Sequence, residues 1–283
     1  MKNRMDETFE KLHIRNEGTL IPLSPGDKPP YTFSMELIDI FDRAGSDFVE
    51  IAIPTRYPWM EGANMQIHQL DAIRDGIHTE DSFGLMDAVM RKHPNLPLVT
   101  INFMGPVMGY GIQKYADSCQ KAGIVGADIP DYPYVYGEDK EEFGKKLLEK
   151  NIHFIVDITI DVAMADEDSP KNILCKKLVK KSSGFLFLIA QPGGVSGIKD
   201  KLPVEELKPA CDRLRIIEAE AGVTTPIIIV CGISTPEQVW DSIRKVGADG
   251  VMLGSAVSKR LQAGEPLEKV EPFVKSLKDA TRL

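Results

Sequence analysis

Pro226-Ile227-Ile228-Ile229-Val230-Cys231-Gly232-Ile233-Ser234-Thr235-Pro236-Glu237 contains a strand, a loop and a helix start in immediate succession. The apolar run through Val230 has no polar alternation, as a strand covered on both faces requires. Cys231-Gly232 breaks it. Ser234-Thr235 then offers a cap, Pro236 suits a first helical turn, and Glu237 complements the positive end of the helix dipole. The helix predicted to follow ends at Val246-Gly247, and Gly250–Leu253 starts the next apolar run.

The same unit recurs along the chain. Further strands are predicted at Thr19–Leu23, Phe48–Ile53, Leu98–Asn102, Gly126–Ile129, Phe154–Ile158 and Phe185–Ile189. Phe33, Leu37, Ile40, Phe41 and Ala44 repeat at helical spacing and predict one buried stripe. Ala44-Gly45 and Ala122-Gly123 end helices as Val246-Gly247 does. Eight such units predict an α/β fold, a (β/α)8 TIM barrel spanning residues 1–283 as one domain. Met5–Arg15 is an extra N-terminal helix predicted to close the bottom. A doubly wound sheet would require a GxGxxG turn after the first strand, and none is present. In a barrel, chemistry belongs to the loops at the C-terminal strand ends, with phosphate held after strands 7 and 8.

Composition narrows the function. Of 283 residues 43% are hydrophobic, yet no apolar run reaches the roughly 18 residues of a membrane span. The charged start from Met1 to Glu10 has no secretory core. Lys plus Arg total 34 against 42 Asp plus Glu, and a net charge of −8 without a basic stripe disfavours nucleic acid. Cys119, Cys175, Cys211 and Cys231 are too scattered for a zinc site or a disulfide framework. A cytoplasmic α/β protein is expected, with no metal.

Glu50 stands inside Phe48-Val49-Glu50-Ile51-Ala52-Ile53. Burying a carboxylate there is costly unless it is paired or does work, and burial raises its pKa towards the acid/base range. Glu61 follows in a loop longer than a simple connection needs; such a residue is either a second functional acid or a helix-start carboxylate. Two more acids lie within strands, Asp128 in strand 4 and Asp157 in strand 5. Either they bond neighbouring backbone N–H or basic groups, or they face a pocket made for a polar or cationic ligand.

Three glycine turns follow the late strands: Gly193-Gly194-Val195-Ser196-Gly197, Cys231-Gly232-Ile233-Ser234 and Gly254-Ser255-Ala256. Glycine lets backbone N–H groups approach an anion closely, and a helix start behind it adds a favourable dipole. Gly197, Gly232, Gly254 and Ser255 are therefore the candidate phosphate cradle. No P-loop lysine pattern implies a nucleoside triphosphate.

Taken in order, these motifs resemble the tryptophan synthase α subunit family, from Phe9 to about Leu261. The resemblance rests on Ile21-Pro22 with Gly26-Asp27; Val49-Glu50-Ile51-Ala52-Ile53-Pro54 continuing to Glu61-Gly62 and Gln66; and Ile129-Pro130-Asp131-Tyr132-Pro133. It extends through Gly194-Val195-Ser196-Gly197, Gly232-Ile233-Ser234-Thr235-Pro236 and Gly254-Ser255-Ala256. It implies retro-aldol cleavage of indole-3-glycerol phosphate to indole and glyceraldehyde 3-phosphate, with no cofactor. Glu50 matches the carboxylate that protonates indole C3 and then takes the glycerol hydroxyl proton. Glu61 stands where the family has an Asp that supports charge at the indole N–H.

Phe103 looks like a family tyrosine at the end of strand 3, and Ser196 falls in the pocket-side loop after strand 6. The family passes indole to a β subunit. Where it has Phe-Ser-Asp-Pro, this chain has Thr55-Arg56-Tyr57-Pro58, so Tyr57 replaces the Asp that takes part in that coupling. Two alternatives to the lyase stay open: a divergent paralogue using Glu50 and the cradle on a more polar phosphorylated substrate, and a non-catalytic subunit that binds a phosphorylated ligand.

Overall fold

In the computed structural model, which describes residues 2–134, 138–191 and 202–282, eight parallel strands close into a barrel in simple chain order. They are β1 (Thr19–Ser24), β2 (Val49–Ala52), β3 (Leu98–Ile101) and β4 (Gly126–Asp128). The second half comprises β5 (His153–Thr159), β6 (Leu186–Ile189), β7 (Ile227–Val230) and β8 (Gly250–Leu253). β8 pairs back onto β1, Leu20 opposite Val251 and Ile21 opposite Met252. All eight predicted strands are present, most of them with ends shifted by a residue or two.

Side-chain alternation sorts each strand into two sets. Leu20, Val49, Ile51, Leu98, Ala127, Val156, Leu188, Ile229 and Val251 join the core between barrel and helices. Ile21, Leu23, Ala52, Val99, Ile101, Ile155, Phe187, Ile228 and Met252 fill a separate inner core. Parallel register carries that inner set around the barrel: Glu50 is level with Val99, Ile101 with Asp128, Asp128 with Ile155, and Asp157 with Phe187. Glu50, Asp128 and Asp157 are therefore inward positions, sharing their strands with apolar neighbours that point out to the helices.

The predicted bottom helix is α1 (Arg4–Arg15). Asn3 caps it: its side chain accepts from the Met5 N–H, and Asp6 accepts from the Asn3 N–H. Met5 is fully buried in the inner core, and Phe9 stacks 5.3 Å from Phe48 and 6.1 Å from Phe185, ring centre to ring centre. Each such side chain is worth roughly 1.5–3 kcal/mol when fully buried. Gly126 makes room here: a Cβ on it would lie 2.6 Å from the Met5 methyl and 2.9 Å from Ile155 Cδ1, so these side chains would have to shift. Chemistry is thereby confined to the opposite, C-terminal end.

α2 (Thr32–Arg43) and α3 (Ala63–Arg74) follow β1 and β2. Leu37, Ile40, Phe41 and Ala44 form the predicted buried stripe, but Phe33 does not belong to it. It occupies the first turn of α2, is 44% exposed, and lines an open hollow with Leu37, Met65, Val257 and Leu261. Among the described residues no helix is long and apolar enough to cross a membrane.

Candidate active site

The pocket at the C-terminal end of the barrel encloses about 700 Å³ of empty space, its open mouth included. Glu50, Glu61, Asp128 and Asp157 line it together with Phe103, Gly232, Gly254 and Ser255. Most of the sequence-predicted residues thus meet in one cavity. Ser196 and Gly197 lie outside the described residues.

Glu50 is 0% exposed, and neither carboxylate oxygen has a hydrogen-bond partner. Asp128 is 1% exposed, with its Oδ1 also unpartnered, as is the Oδ1 of Asp157. Glu61 and Asp157 retain some surface towards the pocket. Among the described residues no Lys, Arg or His lines this cavity, so the acids are not neutralised by a basic neighbour.

Their titration follows from that isolation. Burial, and then the charges of Asp157 and Glu61, push Glu50 well above the usual carboxylate range. Asp128 is likewise held well above it by burial and then by Asp157, Glu50, Glu61 and Asp131. Burial alone raises Glu61 to about 7. Burial followed by the Glu61 charge raises Asp157 to about 7, while a hydrogen bond with Asp128 acts in the opposite direction. Burial thus favours the protonated forms of Glu50 and Asp128, while Glu61 and Asp157 sit near their midpoints at neutral pH. A buried acid that keeps its proton at neutral pH can act as a general acid.

Glu61 is brought in by the loop from β2 to α3. Its N–H donates to the Pro58 carbonyl at 3.0 Å, and the Gln66 side chain donates to its carbonyl at 2.8 Å. The Thr55 N–H donates to the Gln69 side chain at 3.0 Å, tying the start of the same loop to α3. After β3, Phe103 is buried at a helix start, and Asp131 accepts from the Met104 N–H at 2.9 Å, joining the loops after β3 and β4.

The late-strand corner has the geometry that glycine permits. Gly232 has φ +102°, outside the range that side-chain-bearing residues ordinarily adopt, directly after Cys231 at φ +68°. Beyond it Thr235 caps the helix Pro236–Asp241, accepting from the Gln238 N–H. Gly254 precedes the helix Ser255–Gln262, whose first N–H groups begin at the pocket wall. Sequence reasoning missed the apolar half of the lining (Met60, Met65, Ile101, Phe187, Ile189 and Met252) and Cys231, whose thiol is pushed up by burial and by Glu61 and Asp157. Apolar side chains carry no mark that separates a pocket wall from a core. Four acids share the cavity, yet among the described residues no three His, Cys, Asp or Glu side chains are placed to hold a metal ion.

Against known proteins, residues 9–282 match the family model described as tryptophan synthase alpha chain. The chain belongs to that family. A tryptophan synthase alpha chain from Francisella tularensis is 30% identical over 288 residues, covering 99% of both chains. One from Synechocystis is 28% identical over 285 residues, covering 98% of this chain and 99% of that one. Among solved structures, tryptophan synthase from Mycobacterium tuberculosis superposes with a TM-score of 0.82 at 20% identity over the whole of both chains. A tryptophan synthase alpha subunit from Legionella pneumophila gives 0.78 at 22% identity over 99% of each. This alpha-chain relative keeps the family barrel end to end and lines the pocket at its C-terminal end with Asp128 and Asp157 in addition to Glu50 and Glu61.

Proposed function

We propose that this chain is a carbon–carbon lyase of the tryptophan synthase α type, cleaving indole-3-glycerol phosphate or a close relative of it. One observation carries the reading: Glu50, buried and unpartnered, shares a pocket with Gly232, Gly254 and Ser255. The phosphate is held by backbone N–H groups at that glycine corner, where the start of the helix Ser255–Gln262 adds its dipole. Glu50, protonated in the resting pocket, gives its proton to the ring carbon that bears the glycerol chain. Positive charge then spreads to the ring nitrogen, which Glu61 stabilises. The resulting Glu50 carboxylate takes the proton from the adjacent hydroxyl. The carbon–carbon bond breaks, its electron pair restores the aromatic ring, and the aldehyde leaves with the phosphate. Each proton is accounted for by one carboxyl group, so a base as weak as an ordinary exposed Glu would serve less well.

Phosphorylated substrate and β-subunit partnership come with the family. Tyr57 stands exposed in the β2–α3 loop where coupling to a β subunit uses an Asp, so we propose that such coupling is weak here. The deciding assay follows indole and aldehyde release from indole-3-glycerol phosphate. Glu50→Gln keeps shape but cannot shuttle a proton, and it is expected to lower kcat by about 100-fold or more with phosphate affinity unchanged. Retention of most activity would remove Glu50 from the chemistry.

A further inference from the structure

Asp128 and Asp157 have no place in the proton transfers just described, yet they occupy inward positions on neighbouring strands β4 and β5. Both line the pocket and share a hydrogen bond with each other, yet each keeps a buried Oδ1 without a partner, and no basic side chain faces them among the described residues. A neutral indole ring presents a single N–H, which Glu61 occupies. Its entry would enclose Asp128 and Asp157 further and return no hydrogen bond to the unpartnered Oδ1 of either. We infer that the ring end of this pocket is built for a cationic, N–H-rich group, an amidine or amino-substituted heteroaromatic ring, held between Asp128 and Asp157.

The inference rests on the lyase reading, since it assigns the ring end of the same substrate. Two acceptors on adjacent strands can each take an N–H of a forked cation, and such charge-assisted bonds are about twice as strong as neutral ones. The surrounding apolar wall of Ile101, Phe103, Phe187 and Ile189 suits a flat ring behind the charged head. Asp128 and Asp157 sit beside Glu50 and Glu61, and a bound cation also draws protons off this set, favouring the charged carboxylate form.

Benzamidine and benzamide have nearly the same shape and differ in charge and in the number of N–H donors. Calorimetric titration of both, at roughly pH 8 where Asp157 is largely ionised, reads the site directly. Benzamidine is expected to bind the unaltered protein at least about tenfold more tightly. Asp157→Asn and Asp128→Asn should each bring the two ligands to within about twofold of one another. Equal affinities in the unaltered protein, or a preference that survives both substitutions, would overturn the inference; the first comparison needs no variant to fold. Because titration requires no turnover, the two readings fail separately. Amidine binding without any indole release would remove only indole-3-glycerol phosphate as the substrate, and indole release with a preference for benzamide would sink only the cationic ring site.

Discussion

Among single residues, Glu50 was legible because a carboxylate inside an unbroken apolar run has few structural excuses. Its isolation was not legible. The orphaned oxygens, and the absence of a basic neighbour among the described residues, depend on residues from different strands meeting, which spacing along one strand cannot show. Asp128 and Asp157 were ambiguous for the same reason: a strand residue faces in or out by parity, and parity is fixed only when the register around the barrel is known. Their alternative reading, bonded to backbone or a basic side chain, fails for the Oδ1 atom of each. A pH prediction follows. The folded value of Asp157, about 7, lies above the ordinary carboxylate value of about 3.9. Between those values the folded protein holds a proton that the unfolded chain has released, so this group's contribution falls as pH rises through that window. Asp157→Asn removes the loss. Thermal unfolding should therefore show the variant gaining on the parent protein between about pH 4 and pH 7, by roughly 2–4 °C for each kcal/mol recovered. A gap that narrows with rising pH would contradict the assignment.

Elements were more legible than residues. Helix ends at Gly45, Gly123 and Gly247 adopt left-handed φ values of +84°, +69° and +85°, and the Thr235-Pro236 start is capped as its sequence suggests. Phe33 failed because helical spacing reports which face a residue occupies, not whether a neighbour covers that face. The loops were least legible; the β2–α3 loop is held by Gln66 and Gln69 reaching back from α3, contacts that no local pattern specifies. At this scale the glycine corner makes a sharp prediction. Gly232→Ala places a methyl group 3.2 Å from the Gln191 side chain on a backbone with φ +102°. The turn should shift and weaken inorganic phosphate binding about tenfold, equivalent to roughly 1.4 kcal/mol. Unchanged phosphate affinity in equilibrium titration would place the anion elsewhere.

For the molecule as a whole, the repeat of eight strand–helix units was enough to read the closed barrel, and Met5 with Phe9 closes its floor. The family follows from the full length, residues 9–282. Partnership is a separate matter. If the exposed Tyr57 stands in for the coupling Asp, as proposed, adding a β subunit should stimulate indole release less than about 5-fold, the lower end of ordinary coupling between sites. Strong stimulation would show that coupling does not depend on that Asp.

The central claim, that one pocket anchors phosphate at the late strands and delivers a proton from Glu50, is tested most directly by a crystal structure of Glu50→Gln soaked with indole-3-glycerol phosphate. The account predicts phosphate density against the backbone of Gly232, Gly254 and Ser255, with the ring carbon that bears the side chain within hydrogen-bond reach of residue 50. Phosphate bound outside that corner, or a ring turned away from residue 50, would contradict it.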